Sequence, residues 1–184
     1  MSKPVWLLDV DGVLNASRPG WGAAPRSGWA YSAGERWRIR WAPALVSRIR
    51  TLHRSGRVEI RWCTTWCHDA DQIERLLDLP PFDRAWGGQL FGTEASVAKH
   101  AAARTVIDTG RPLIWTDDAE VPEEGPLVEE LSGDGRGLLI KPKPYRGLQP
   151  EHLDEIEAFI EGLIDGRSGL ESSHDRGRSA AQPF

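Results

Sequence analysis

An α/β fold on a mainly parallel sheet, with helices on both faces, is predicted by three observations. Short apolar runs recur along the chain, and several of them stop on acids or on a threonine. Segments with a helical apolar period stand between those runs. Glycine and proline mark the joints. Strands alternating with helices in this way build a parallel sheet, whose carboxyl ends share one edge. In open α/β sheets that edge is where ligands bind.

The elements follow in order. Val5-Trp6-Leu7-Leu8 is an apolar run that stops on Asp9-Val10-Asp11-Gly12, a buried strand followed by a turn. Residues 15–35 are rich in Gly, Pro, Ser and Ala, with Trp21, Trp29 and Tyr31 among them. That is too long for a simple connection and reads as a lid or binding loop. Arg36-Trp37-Arg38-Ile39-Arg40-Trp41 alternates strictly, so an extended chain puts three arginines on one face and Trp37, Ile39 and Trp41 on the other. Ala33-Gly34-Glu35 can turn a hairpin from Trp29–Ser32 into it. Ala42-Pro43 opens a helix, with Leu45, Val46, Ile49 and Leu52 at helical spacing and Ser55-Gly56 at its end.

Val58–Trp62 is the next strand and ends at Cys63-Thr64-Thr65-Trp66, with Glu59 and Arg61 making one face polar. A helix from about Asp69 to Leu77 ends before Leu79-Pro80-Pro81. Residues 82–95 are loop-like, with a short strand near Arg84–Trp86. Ser96–Val106 reads as a helix, Leu113–Thr116 as a strand ending on Asp117-Asp118, and Gly137–Ile140 as a further strand. Pro150–Ile164 carries Leu153, Ile156, Phe159, Ile160 and Leu163 on one helical face. From Gly166 the chain turns to Gly, Ser and Arg without apolar period and reads as a disordered tail. The expected organisation is one domain over 1–165, with a hairpin flap at about 15–41, and a tail over 166–184. Its architecture is a three-layer, Rossmann-like sandwich.

The bulk numbers fit this. A chain of 184 residues can bury one substantial core, and 40% apolar with 27% charged residues is ordinary for a globular protein. A net charge of -4 gives no bulk attraction to nucleic acid or to a membrane surface. A local basic strip can still matter. The two cysteines, Cys63 and Cys67, share one short segment and make neither a disulfide framework nor a zinc site. The apolar run after Met1-Ser2-Lys3-Pro4 is cut by Asp9, so it reads neither as a signal peptide nor as a membrane span. The expected location is the cytoplasm.

Asp9 and Asp11 fall at and just past a strand end. Close like charges repel, and buried ones are costly unless a cation or a proton compensates them. A second acidic pair, Asp117-Asp118, follows another strand, so several carboxylates can converge on one sheet edge. Taken singly, each has a bland reading. Asp9 and Asp11 can cap a turn, Asp117 and Asp118 can cap a helix, Thr64 can simply end a strand with Thr65 the functional residue in its place, and Lys99 can be a solvated helix lysine. Arg36, Arg38 and Arg40 can be the wet face of an edge strand. Trp21 and Trp29 can pack the loop or stack on a base.

Together and in order, these segments resemble the haloacid dehalogenase superfamily of phosphohydrolases. Asp9-Val10-Asp11-Gly12-Val13-Leu14 looks like its first motif, Thr64 its second, Lys99 its third and Asp117-Asp118 its fourth. More narrowly, Thr64-Thr65-Trp66 and Trp115-Thr116-Asp117-Asp118 look like the small domains of that superfamily associated with RNA-repair proteins. The resemblance implies a magnesium-dependent phosphomonoester hydrolase. Asp9 would be the nucleophile and Asp11 the general acid and base. Thr64 would hydrogen-bond the transferring phosphoryl group, and Lys99 would hold Asp9 and the phosphate by charge. Lys141 or Lys143 could take that last place. Magnesium would sit among Asp9, the Asp11 backbone carbonyl, Asp117 and Asp118, an all-oxygen set that suits a hard cation.

The partner expected is a phosphorylated small molecule or a nucleic-acid end, with possible contacts from Asn15, Trp21, Thr65, Arg36, Arg38 and Arg40. Only a small flap intervenes after the first motif, which leaves an open site. The alternatives are a polynucleotide-end phosphatase and a non-catalytic phosphoacceptor or binding module. Receiver-type phosphoacceptors carry their adjacent acids early and a lone aspartate later, the reverse of the order here.

Overall fold

The computed structural model describes residues 2–175, with side chains described through residue 164. Five strands form one parallel sheet: β1 (Val5–Leu8), β4 (Glu59–Trp62), β5 (Asp83–Arg84), β6 (Leu113–Thr116) and β7 (Gly137–Ile140), in the order β5-β4-β1-β6-β7. Strands β2 (Arg26–Ser32) and β3 (Glu35–Trp41) form a separate antiparallel pair. The helices are α1 (Pro43–Arg54), α2 (Ala70–Leu77), α3 (Gly92–Asp108), α4 (Pro126–Ser132) and α5 (Pro150–Asp175). Among the described residues, no helix is long and apolar enough to cross a membrane.

Alternate residues of the central strands feed two apolar clusters. Trp6, Leu8, Ile60, Trp62 and Ile114 join the larger one, to which α1, α2 and α5 contribute Ile49, Ile73 and Ile156. Val5, Leu7, Leu113 and Trp115 join the smaller one with Ala103 and Val106 of α3 and Leu131 of α4. Strand β1 is buried along its whole length, which is why it reads as an uninterrupted apolar run.

Register places the functional segments. Leu8 lies opposite Trp62 on one side and Thr116 on the other. The residues that follow these three strands, Asp9, Cys63-Thr64 and Asp117, therefore leave the sheet at one level.

The hairpin closes as its sequence predicts. Ala33 and Gly34 both have positive φ, 54° and 76°, as the tight turns that match strand twist demand. Its back is seated: Ala30, Ile39 and Trp41 are buried, Gly28 abuts Leu76 of α2, and Ser32 donates to Asp69 at 2.8 Å. Trp37, expected on the buried side with Ile39 and Trp41, lies near the turn beyond that support and is 53% exposed.

Several boundaries differ from the sequence reading. Strand β4 starts one residue later than expected, at Glu59, and the short edge strand falls at Asp83–Arg84, just before the expected place. Helix α3 starts at Gly92, ahead of Ser96, without a side-chain cap. Helix α4 was not expected, although Gly125-Pro126 is an ordinary helix opening. Residues 166–175, read as disordered tail, continue α5. Gly and Ser lower helix propensity but do not stop a helix already propagated from a packed half. The rest of the expected tail, 176–184, lies outside the described residues.

Candidate functional site

The turn after β1 folds back on itself. The Val10 carbonyl accepts the amides of Leu14 and Asn15 at 2.9 and 2.8 Å, and Gly12 takes φ 67° at the bend. A side chain at Gly12 would overlap the Asp118 carboxyl group, so glycine here lets the loops after β1 and β6 touch.

Lys99 binds the carboxylates together. It lies on the buried stripe of α3, in the row Ala95, Lys99, Ala103 and Val106. Its Nζ donates to Asp9 Oδ2 at 2.7 Å and to Asp117 Oδ2 at 2.6 Å. Asp9 Oδ1 accepts the Val10 amide at 2.7 Å. Asp117 Oδ1 accepts the amides of Ala119 and Glu120 at 2.9 and 2.8 Å. Asp9, Thr64, Lys99 and Asp117 are all buried, and Asp118 is half-buried.

Burial pushes the Asp9 carboxyl up to about 8, helped by the Asp117 charge and opposed by Lys99 and the Thr64 hydroxyl. Burial acts on Asp117 too, but Lys99 and the two turn amides outweigh it and hold that carboxyl below its ordinary value. Burial and Asp117 raise Asp118. Burial opposes the charge on Lys99, and the two carboxylates more than restore it. Two carboxylates thus share one ammonium, with the Asp118 carboxyl beside them.

Asp9, Asp117 and Asp118 each present an oxygen within 4.8 Å of the others, a group that could hold a metal ion. An all-carboxylate donor set with surplus negative charge fits a hard divalent cation. Such an ion would favour the ionised form of Asp9.

Asp11 stands apart from this cluster and is exposed. Its Oδ1 accepts from Asn15 Nδ2 at 2.7 Å and its Oδ2 from Trp66 Nε1 at 2.9 Å. Trp66 is a site residue that its sequence context marks only as part of a motif. No local signal gives a contact between residues 55 positions apart. Asn15, a possible substrate contact in the sequence, orients Asp11, and its Oδ1 accepts the Arg40 amide at 2.9 Å. The site is therefore tied to the hairpin.

Compared with protein-family models, with curated proteins and with solved structures, the chain matches none.

The other expected site residues divide clearly. Thr64 is buried and its hydroxyl accepts the Trp66 amide at 3.3 Å, whereas Thr65 is only half-buried beside it. Lys141 pairs with Glu123 at 3.2 Å, so it is Lys99 that serves the carboxylates. Trp21 is drawn away, its indole donating to the Leu148 carbonyl at 2.8 Å and packing on the larger core. Arg36, Arg38 and Arg40 are exposed on one face of β3. Arg38 and Arg40 line an open cavity of about 580 Å³ with Asn15, Ser17 and Tyr145.

Proposed function

We propose that the chain is a magnesium-dependent phosphomonoester hydrolase working through an aspartyl-phosphate on Asp9, on a three-layer, Rossmann-like scaffold. The observation that carries this reading is the division of labour among the acids. One buried carboxylate, Asp9, faces a fixed cation and a metal-competent trio, while a second, Asp11, stands outside, held by Asn15 and Trp66. Helices contributing to both apolar clusters support the scaffold.

Asp9, Asp117 and Asp118 would hold magnesium, which would supply positive charge to the phosphoryl oxygens. Asp9 attacks phosphorus in line with the leaving oxygen. The bond to that oxygen breaks, and the oxygen takes the proton of Asp11 to leave as an alcohol. Water then attacks the phosphoryl group and gives its proton to Asp11. The bond to Asp9 breaks, and inorganic phosphate is released. Lys99 and Thr64 orient Asp9 and offer donors to the oxygens that gather charge.

The test is hydrolysis of p-nitrophenyl phosphate and a panel of phosphomonoesters with EDTA or magnesium, combined with mass spectrometry of borohydride-trapped protein. Magnesium-dependent turnover with the adduct on Asp9 is expected. Asp9→Asn should abolish turnover, because an amide cannot form the acyl-phosphate. Turnover in metal-free protein, or an adduct on any other residue, overturns the mechanism.

A further inference from the structure

The open face of the hairpin is a mixed ribbon of cations and aromatics. Antiparallel pairing sets Trp29 opposite Arg38, Tyr31 opposite Arg36 and Ser27 opposite Arg40. Directly paired residues project from the same face. This face therefore carries two aromatics and three arginines, with no acid among them. Trp29 and Tyr31 are 50% and 54% exposed. Arg36 lies over the Trp29 ring at 4.0 Å from its centroid. Among the described residues, none of the three arginines makes an ion pair, whereas Arg48, Arg50, Arg61, Arg104 and Arg111 all do. In a chain of net charge -4, a cationic face without carboxylate partners is complementary to a polyanion.

The ribbon also leads somewhere. Arg38 and Arg40 line the cavity that contains Asn15, and Asn15 holds Asp11. Tyr145, 49% exposed, also lines that cavity. It also borders a second cavity of about 280 Å³ with Lys143 and Arg146. Alternate positions on a strand lie about 6.7 Å apart, so the arginines form a ladder longer than one phosphate can engage. Exposed aromatic faces stack on unpaired bases, which a duplex conceals, and guanidinium planes do the same.

We propose that this hairpin face docks single-stranded nucleic acid, with backbone phosphates on Arg36, Arg38 and Arg40 and bases on Trp29 and Tyr31, so that the strand end reaches the carboxylate site. The docking stands on the hairpin itself, and only the fate of the strand end rests on the phosphatase reading.

The test is fluorescence anisotropy of a labelled, unphosphorylated twelve-nucleotide strand, as RNA and as DNA, with the full chain in EDTA. The same strand annealed to its complement is the comparison. Three phosphate contacts on a single strand give a slope of log affinity on log salt of about -2, or a loss of about twenty-fold between 50 and 200 mM salt. The double substitution Arg36→Ala/Arg38→Ala should leave a slope near -0.7, as for one contact. Trp29→Ala should weaken binding about 5- to 150-fold with the slope kept, the loss expected for one stacked base. Circular dichroism melting checks that both variants are folded. Binding of RNA, DNA or both in preference to duplex supports the proposal, and the ratio reports whether the sugar is read. No binding at 50 mM salt, equal binding of duplex, or wild-type affinity in both variants overturns it. Wild-type hydrolysis of p-nitrophenyl phosphate is scored separately, so failure of docking and failure of the phosphatase reading are told apart.

Discussion

Replacing Lys99 by Met keeps an unbranched stem of similar length and removes one charge. Lys99 is 7% exposed and donates to two carboxylates that are themselves buried. Without it, Asp9 and Asp117 face each other with no cation between them. Removing one member of a buried ion pair costs about 3–5 kcal/mol, because the partner charge is left uncompensated. With Asp9 titrating near 8 in metal-free protein, Asp117 is the partner left charged at neutral pH, so the lower part of that range applies. A divalent cation should then replace the lost charge. Metal held at a hundred times its dissociation constant stabilises a folded protein by about 2.7 kcal/mol. The assay is urea unfolding of wild type and Lys99→Met, with EDTA and with millimolar magnesium. The variant is expected to be several kcal/mol less stable in EDTA and to gain more from magnesium than wild type does. A loss under about 1 kcal/mol, or equal gains from magnesium, would refute the electrostatic account of the site.

Three further outcomes follow from the same geometry. In metal-free protein Asp9 titrates near 8 when folded against 3.8 ordinarily, so its contribution is complete below pH 3.8 and is lost as pH rises through 8. Urea unfolding between pH 5 and 8 should show stability falling by up to about 1.4 kcal/mol per pH unit, and saturating magnesium should flatten that slope. Gly12→Ala places a methyl against the Asp118 carboxylate at φ 67°, so it should cost about 1–2 kcal/mol and shrink the magnesium-induced rise in Tm. Ala33→Asn suits a left-handed turn position at φ 54° and should raise stability by ~0.5–1 kcal/mol, read as a shift in the urea midpoint at constant slope.

The sheet edge was legible because strand burial and strand ending are both local. Val5–Leu8 shows an apolar run stopped by an acid, and Leu113–Thr116 repeats it, so Asp9, Asp117 and Asp118 fall where the parallel register carries them. Lys99 came from the resemblance, yet the row Ala95, Lys99, Ala103 and Val106 holds a direct signal, a lysine on a helix's buried stripe. Trp66 and Asn15 were not legible in their roles. Their contacts to Asp11 depend on how two loops approach, and no spacing encodes that. The hairpin's arginine face was legible from period two, but its aromatic half was not. Trp29 and Tyr31 join the arginines only through cross-strand register. Helix α4 is seven residues long, too short for its period to stand out.

Asn15 spends both ends of one amide. Its nitrogen supports Asp11 and its oxygen receives the Arg40 backbone. A single planar group can keep both bonds only while the hairpin edge and the turn after β1 hold their present separation. Swinging the hairpin outward breaks one of them, and the bond lost is either one tie of Arg40, beside the Ala16 amide that donates to its carbonyl, or one support of Asp11. Whatever bears on the hairpin therefore bears on Asp11, through a linkage one side chain long. Hairpin position and Asp11 orientation are mechanically geared to each other, and the gear is a single amide side chain.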